Sequence, residues 1–326
     1  MTEFFTDDDV RAAFDGGAAI EALRRAYGAD VNPAQYPARS IARGDGSWLR
    51  IMSGVSMDTH LMGAKLISVN GRTNQAAYLI PLFDEQTCEL VALLDGNSIT
   101  GFRTAATSAL AADQLAPAGP LVLTSLGSGF EAQKHVRALS LIRPVAAIHV
   151  WSPRQSSRER FVDAVSDLGV PVHAHDSAEK ATGEGDLIVC SGRSPDQQPY
   201  VRGAWLRPGH TVLSIGSTLP EQREVDTELL TRADLIVADM PEEVLRETGD
   251  LLAASVEGMD LTDAIVSLAD VTAGRVKGRT SADQITVYKS VGSGLQDLTV
   301  AAMCVERTKA AGRGTTLPVT TRAVTK

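Results

Sequence analysis

The segment LVLTSLGSGFEAQKHVRALSLI (residues 121–142) constrains the fold more than any other stretch of the chain. A buried-type apolar run, LVLTSL, ends in the turn Gly127-Ser128-Gly129, and a helical period follows with Ala132, Val136 and Leu139 on one face. A strand that passes through a tight glycine turn straight into a helix is the opening unit of a parallel sheet covered by helices. The residues beyond it keep the alternation. AAIHVW, VPVHAH, DLIVC, TVLSIG and DLIVAD read as short strands, and SSRERFVDAVSDLG reads as a helix. The expected fold class is therefore α/β, a doubly wound parallel sheet of the Rossmann type.

The first hundred residues have a different rhythm. Asp7 to Arg11 starts a helix, and AIEALRRAY continues a helical period until Pro33 and Pro37 break it. WLRIM, GAKLISV, AAYLIPLF and ELVALL then read as strands separated by turns such as NGRTN, which predicts an antiparallel sheet and a second, α+β domain. DGNSITGFRTAATSALAADQLAP reads as a helix with Thr100 as its N-cap and Pro117 as its stop. Ala105, Ala106, Ala109 and Ala112 allow its backbone to pack closely. SGLQDLTVAAMCVERTKAA predicts a last long helix, and the polar tail GRGTTLPVTTRAVTK is expected to fray.

Composition removes several classes of function. The formal net charge of −9 argues against a nucleic-acid binder. No apolar run approaches the roughly 20 residues needed to span a bilayer, so no membrane partner is expected. MTEFFTDDDV lacks the basic start and apolar stretch of a secretory leader. Cys88, Cys190 and Cys304 are too few and too scattered for a disulfide framework or a zinc site, and a reducing cytoplasm is the expected location. His173 and His175 flank Ala174 with no third ligand evident, so no metal is expected.

In the glycine segment, Gly127 permits the tight turn, Gly129 lets the backbone approach a pyrophosphate, and Ala132 allows close helix–strand packing. Together with Ser128 and the first helical residues Phe130 and Glu131, these predict a dinucleotide site at a helix N-terminus. The second strand ends in Trp151-Ser152-Pro153-Arg154, where a carboxylate for the ribose 2′-hydroxyl of NAD is missing. Ser152 and Arg154, with Ser157 or Arg158 nearby, suit a 2′-phosphate. NADP is thus the expected cofactor, with NAD as the alternative. In the first domain, Arg39, Lys65 and Arg103 lie near or within apolar segments. Each is either a surface charge, half of a structural ion pair, or part of a site for an anion. A lysine in a closed site can transfer protons once its pKa is lowered.

Five segments, GAKLISV, DGNSITGFRTAATSALAA, LGSGFEAQ, IGSTLPEQREVD and ITVYKSVGSGLQD, make the chain resemble the ornithine cyclodeaminase/mu-crystallin family from about Arg39 to about Ala301. Its members include cyclodeaminases, alanine dehydrogenases, ketimine reductases and dehydrogenases of N-substituted amino acids. All act on the Cα–N bond of an amino acid through a nicotinamide. The resemblance implies a homodimer. It also implies a substrate-binding and dimerisation domain over 1–115 and 300–326, and an inserted NAD(P)-binding domain over 116–299. Carried over by position, Arg39 and Arg103 match the arginines that hold the substrate carboxylate, and Lys65 matches the catalytic lysine. Thr104, Ser191, Val291 and Gly292 fall beside the cofactor.

Departures from the family pattern narrow the activity. Thr218 stands where cyclodeaminases carry an Asp in the IGSTLPEQREVD segment, and a hydroxyl is no base near neutral pH. Glu131 replaces a usual Gln, Gln296 replaces a usual Glu, MSG stands where MPA is common, and GRTN replaces a P-x-N turn. The resulting expectation is an NAD(P)-dependent imine or ketimine reductase, or an amino-acid dehydrogenase, acting on a small amino or imino acid. A cyclodeaminase with tightly held NAD and a non-catalytic NADPH-binding crystallin-like protein are the alternatives.

Overall fold

The computed structural model describes residues 1–192, 194, 197–318 and 321–325. The chain forms two compact units, one of residues 1–103 with 293–326, the other of residues 104–292. The crossings lie at 103/104 and 292/293, against the 115/116 and 299/300 expected from sequence. The first crossing falls inside a continuous helix, which carries no composition signal at that point.

In the first unit, strand β1 (Glu3–Phe5) leads into helices α1 (Asp7–Ala13) and α2 (Gly16–Gly28). The strands β2 (Ser40–Arg43), β3 (Ser47–Ser56), β4 (Leu61–Asn70), β5 (Gln75–Asp84) and β6 (Leu90–Asp95) follow, then helix α3 (Asn97–Leu115), whose first turns belong here. Thr6 caps α1: its hydroxyl accepts from the Asp9 N–H while the Asp9 carboxylate accepts from the Thr6 N–H, the reciprocal pair that satisfies two orphan donors. Alternating burial along β3 and β4 gives the sheet one packed face. β3 to β6 pair antiparallel, as the sequence predicts; of the two strands it does not predict, β2 adds antiparallel to β3 and β1 parallel to β6. Thr100 is not the N-cap of α3. The helix begins at Asn97, whose N–H donates to Asp95 Oδ1, and the Thr100 hydroxyl donates to the Gly96 carbonyl.

In the second unit the elements alternate as expected: β7 (Leu121–Leu126), α4 (Phe130–Ile142), β8 (Val145–Trp151), α5 (Gln155–Ala164), β9 (Val172–Ala174), α6 (Ala178–Glu184), β10 (Leu187–Cys190) and β11 (Thr211–Ser214). They continue with α7 (Thr227–Arg232), β12 (Leu235–Ala238), α8 (Pro241–Glu247), α9 (Gly249–Val256), β13 (Ile265–Ser267), α10 (Leu268–Thr272) and β14 (Thr286–Lys289). Among the described residues eight strands form a fully parallel sheet in the order β13-β12-β14-β11-β10-β7-β8-β9. Its central strands β7, β10, β11 and β14 are buried almost throughout, as a sheet covered on both faces requires. The strand order reverses between β7 and β10, so the crevice at their carboxyl ends is the topological switch point at which such folds bind ligands.

The chain then returns to the first unit as α11 (Gly294–Ala310) and β15 (Thr315–Thr316). The start of the polar tail does not fray. β15 pairs antiparallel with β1, and the Leu317 N–H donates to the Thr2 carbonyl. Its two adjacent threonines gave no apolar run to signal a strand. Among the described residues no helix is long and apolar enough to cross a membrane.

Candidate active site

In the first unit the pleat of β3 and β4 builds a cluster of cations. Met52 on β3 pairs with Lys65 on β4, and Ser40 pairs with Ile51, so continuing that register sets Arg39 opposite Met52. Arg50, two residues before Met52, shares its face of the pleat. Arg39 is 6%, Arg50 8%, Lys65 0% and Arg103 6% exposed. Arg103 comes from the second turn of α3.

The counter-charge comes from α11. That helix can lie on β3 because its first residue is glycine: a Cβ at Gly294 would stand 2.2 Å from the Ser53 carbonyl oxygen. Gly54 on β3 is also crowded: its Cβ position would stand 2.5 Å from the Tyr36 ring and 2.7 Å from Leu298 of α11. One turn into α11, Asp297 is wholly buried. Its Oδ1 accepts from Lys65 Nζ at 2.7 Å and lies 3.0 Å from Arg103 Nε. Asp297 Oδ2 has no hydrogen-bond partner among the described residues. Gln296 receives Arg103 Nη1 on Oε1 at 2.6 Å and donates from Nε2 to the Tyr27 hydroxyl of α2 at 2.8 Å. A glutamine there gives Arg103 a neutral acceptor where a glutamate would add a second negative charge.

These surroundings set the protonation of Lys65. Burial and the neighbouring Arg103 and Arg50 charges push its ammonium down to about 7, against the upward pull of Asp297. An amine in that range takes up and releases protons near neutrality, as a general acid–base group must. Arg39, Lys65 and Arg103 all lie in the first unit, and the last two meet at Asp297. Sequence reasoning missed Arg50, and it left Asp297 as an acid near an apolar helix that capping or ion pairing explains as well as catalysis does. Arg50 could have been read from the alternation in SWLRIM, which puts it on the face of Met52.

In the second unit the glycine loop has the geometry of a pyrophosphate cradle. Gly127 sits at φ +129°, and a Cβ on it would meet Ser191 Oγ at 2.7 Å and the Gly192 nitrogen at 3.0 Å. Gly129 caps α4 without a side-chain hydrogen bond, and its Cβ position has no atom within 4 Å, which leaves the helix N–H groups open to an anion. The buried Ser191 hydroxyl has no partner among the described residues, as a group reserved for a ligand would. These residues fit a dinucleotide.

At the end of β8 the Ser128 hydroxyl donates to Ser152 Oγ at 3.0 Å, and Arg158 Nη1 donates to the Ser152 carbonyl at 2.6 Å. Arg154 lines a pocket of about 730 Å³ with Ser128, Gly129, Gln133 and Ser157. Phe130 and Glu131 form the first turn of α4, and Thr104 is buried on α3. Val291 and Gly292 are fixed by Asp239, whose carboxylate accepts both N–H groups at 3.1 and 2.8 Å, along with the Ser290 hydroxyl at 2.6 Å. Thr218 lies in a turn after β11, its N–H donating to the Gln222 side chain. Among the described residues no group of three or more His, Cys, Asp or Glu is placed to hold a metal. His149 and His175 bond each other, Nδ1 to Nε2, at 2.8 Å.

Comparison with known proteins shows the family of the chain. The model of the ornithine cyclodeaminase/mu-crystallin family matches residues 15–312. The chain belongs to that family. Among its members, mouse ketimine reductase mu-crystallin is 30% identical over 261 residues, 78% of this chain and 79% of the mouse protein. The Delta(1)-pyrroline-2-carboxylate reductase of Paracoccus denitrificans is 28% identical over 309 residues, 92% of this chain and 95% of that enzyme. The Thermococcus litoralis Delta(1)-pyrroline-2-carboxylate reductase, solved with NADH and L-proline, superposes with a TM-score of 0.90 at 26% identity and covers 97% of this chain and 100% of its own. The α/β fold expected from sequence is thus the fold of this family.

Proposed function

We propose that this chain is an NAD(P)-dependent oxidoreductase that reduces the C=N bond of a small imino acid to the corresponding amino acid. The observation that carries the reading is the buried Lys65–Asp297 pair beside Arg103, in a family whose members include imine and ketimine reductases. Substrate binding is assigned to the first unit and cofactor binding to the second.

Arg39 and Arg103 hold the substrate carboxylate, a task for which the planar guanidinium is suited. Bound NAD(P)H supplies the two electrons and the hydrogen that reach the imine carbon. Lys65, protonated, gives its Nζ proton to the imine nitrogen, and Asp297 holds that ammonium in place and favours its charge. The lysine then regains a proton from solvent, so each turnover consumes one imine, one reduced cofactor and one proton. Fixed charges around the nitrogen as it changes charge supply the electrostatic part of the acceleration. Arg154 and Ser152 at the end of β8 support NADP over NAD. As the family resemblance implies, we read the functional unit as a homodimer.

Oxidation of NADPH and NADH is to be followed with five- and six-membered cyclic imino acids, open-chain imino diacids, and α-keto acids supplied with amines. Reduction of at least one imine class, with Lys65→Ala slower by about 10²- to 10⁴-fold yet still binding reduced cofactor, is the expected result. Inactivity against the whole panel would overturn the reading. Ammonia release from ornithine or lysine without added oxidant would replace it with the cyclodeaminase reaction, against which Thr218 counts.

A further inference from the structure

We infer that Tyr200 and Glu224 are positioning residues for the nicotinamide half of the cofactor, because they lock together the two chain segments that follow β10 and β11. The inference rests on the proposed dinucleotide site.

In a doubly wound sheet the adenosine lies over the strands on one side of the switch point and the nicotinamide over those on the other. Here β8 and its Ser152–Arg154 end lie on the first side. The ends of β10 at Cys190 and β11 at Ser214 lie on the second. The segments that leave those two ends are joined by consecutive hydrogen bonds. The Gly192 N–H donates to the Tyr200 hydroxyl at 2.8 Å, and that hydroxyl donates to Glu224 Oε1 at 2.6 Å. Glu224 Oε2 accepts the Gly216 N–H at 2.9 Å and the Ser214 hydroxyl at 2.8 Å.

Where Gly192 meets Gly216 no slack remains. A Cβ at Gly216 would stand 2.5 Å from the Gly192 carbonyl oxygen and 2.3 Å from Glu224 Oε1. Gly127 of the pyrophosphate loop presses on Ser191 and Gly192 from the other side. The rim that would face the cofactor is thus one packed assembly, and Tyr200 and Glu224 are its ties.

The ties have a buried foundation. Lys289 Nζ donates to Asp250 Oδ2 at 2.8 Å and to Ser214 Oγ at 2.9 Å, and lies 3.9 Å from Glu224 Oε2. Asp250 Oδ1 accepts the N–H groups of Glu224 and Val225. A buried charged network of this kind contributes little net stability compared with apolar packing of the same volume. What it does supply is a fixed arrangement of the loops it bonds.

Burial and the Asp250 charge push the Glu224 carboxyl up to about 7, against Lys289 and the hydrogen bonds from Tyr200 and Ser214. Cys190, also facing it, stays a thiol, because burial raises its pKa well above the ordinary value. Ionised Glu224 accepts all three of its donors. Protonated Glu224 can hold Tyr200 only by donating its own hydrogen to the phenol oxygen, so the Tyr200 hydroxyl loses its acceptor. Cofactor binding therefore tightens as pH rises through neutrality.

The test is a fluorescence titration of reduced cofactor, without substrate, against wild type, Tyr200→Phe and Glu224→Gln, each below and above neutral pH. Melting curves of the cofactor-free proteins accompany it. We expect a rise in cofactor Kd of about fivefold in Tyr200→Phe and a flat pH profile in Glu224→Gln. In steady state the cofactor KM rises more than the substrate KM. Tyr200→Phe removes a single oxygen, so it remains informative if Glu224→Gln does not fold. Wild type that binds neither NADPH nor NADH would sink the dinucleotide site and this inference with it. Tight wild-type binding with wild-type Kd in Tyr200→Phe, or with an unchanged pH profile in Glu224→Gln, would sink this inference alone.

Discussion

Lys65 Nζ and Asp297 Oδ1 lie 2.7 Å apart with neither side chain exposed, although 232 residues separate them in the chain. Asp297 is the one described buried acid of the first unit, and Lys65 and Arg103 both draw on it. Removing it leaves buried positive charge without compensation. Asp297→Asn should therefore lower stability by about 3–5 kcal/mol. It should also drive the Lys65 pKa further down, moving the alkaline limb of the rate profile to lower pH. Denaturant melts and a kcat–pH series check the two effects separately.

The wild-type profile has a defined sign. On the proposed mechanism Lys65 must carry its proton in the reductive direction, and its pKa is lowered to about 7. We expect kcat for imine reduction to fall as pH rises through about 7, well below the range of an ordinary lysine. Stability responds in the opposite sense. Between the folded-state pKa and the ordinary lysine value the unfolded chain binds the extra proton, so the Lys65 contribution to stability rises with pH across that window. A flat kcat up to the ordinary lysine range would remove Lys65 as proton donor.

Gly294→Ala tests how α11 delivers Asp297. The added Cβ would stand 2.2 Å from the Ser53 carbonyl oxygen, so the helix must shift away from β3. Overpacking of this kind costs about 1–3 kcal/mol. The shift should cost turnover as well, while cofactor binding in the second unit stays near wild type. Thermal melts with parallel activity and cofactor titrations give the comparison.

Arg154 lines the pocket beside Gly129 and Ser157, and its guanidinium makes no hydrogen bond or ion pair among the described residues. Arg154→Ala should weaken NADPH binding by about 10- to 100-fold, the range of one charged hydrogen bond, and leave NADH nearly unchanged. Paired titrations with the two cofactors read the difference directly.

Much of this molecule is legible in its sequence because the relevant signals are local. The glycine loop at 127–129 and its helix need only the strand–turn–helix rhythm, and β3 to β6 need only alternation. Arg39, Lys65 and Arg103 stand out as cations in apolar company. Their shared location is not legible, because it depends on the register of Ser40 with Ile51 and of Met52 with Lys65, which no single segment encodes. Asp297 was hidden for the same reason: its partner lies across the chain, and an acid in the first turn of a helix has an ordinary explanation in the helix dipole. Tyr200 stands in no motif, and Glu224 lies in the IGSTLPEQREVD segment without a legible role, since their meaning lies in the backbone N–H groups of Gly192 and Gly216.

The return of α11 and β15 to the first unit also sets a schedule for biosynthesis. A ribosome finishes β3, β4 and the first turns of α3 early, then spends nearly two hundred codons on the second unit before it reaches Asp297. Throughout that interval the nascent sheet holds its cationic side chains without the acid that will neutralise them, so this face cannot close until translation is almost over. A message truncated before α11 would yield a finished second unit attached to a half-domain in which Lys65 never acquires its partner.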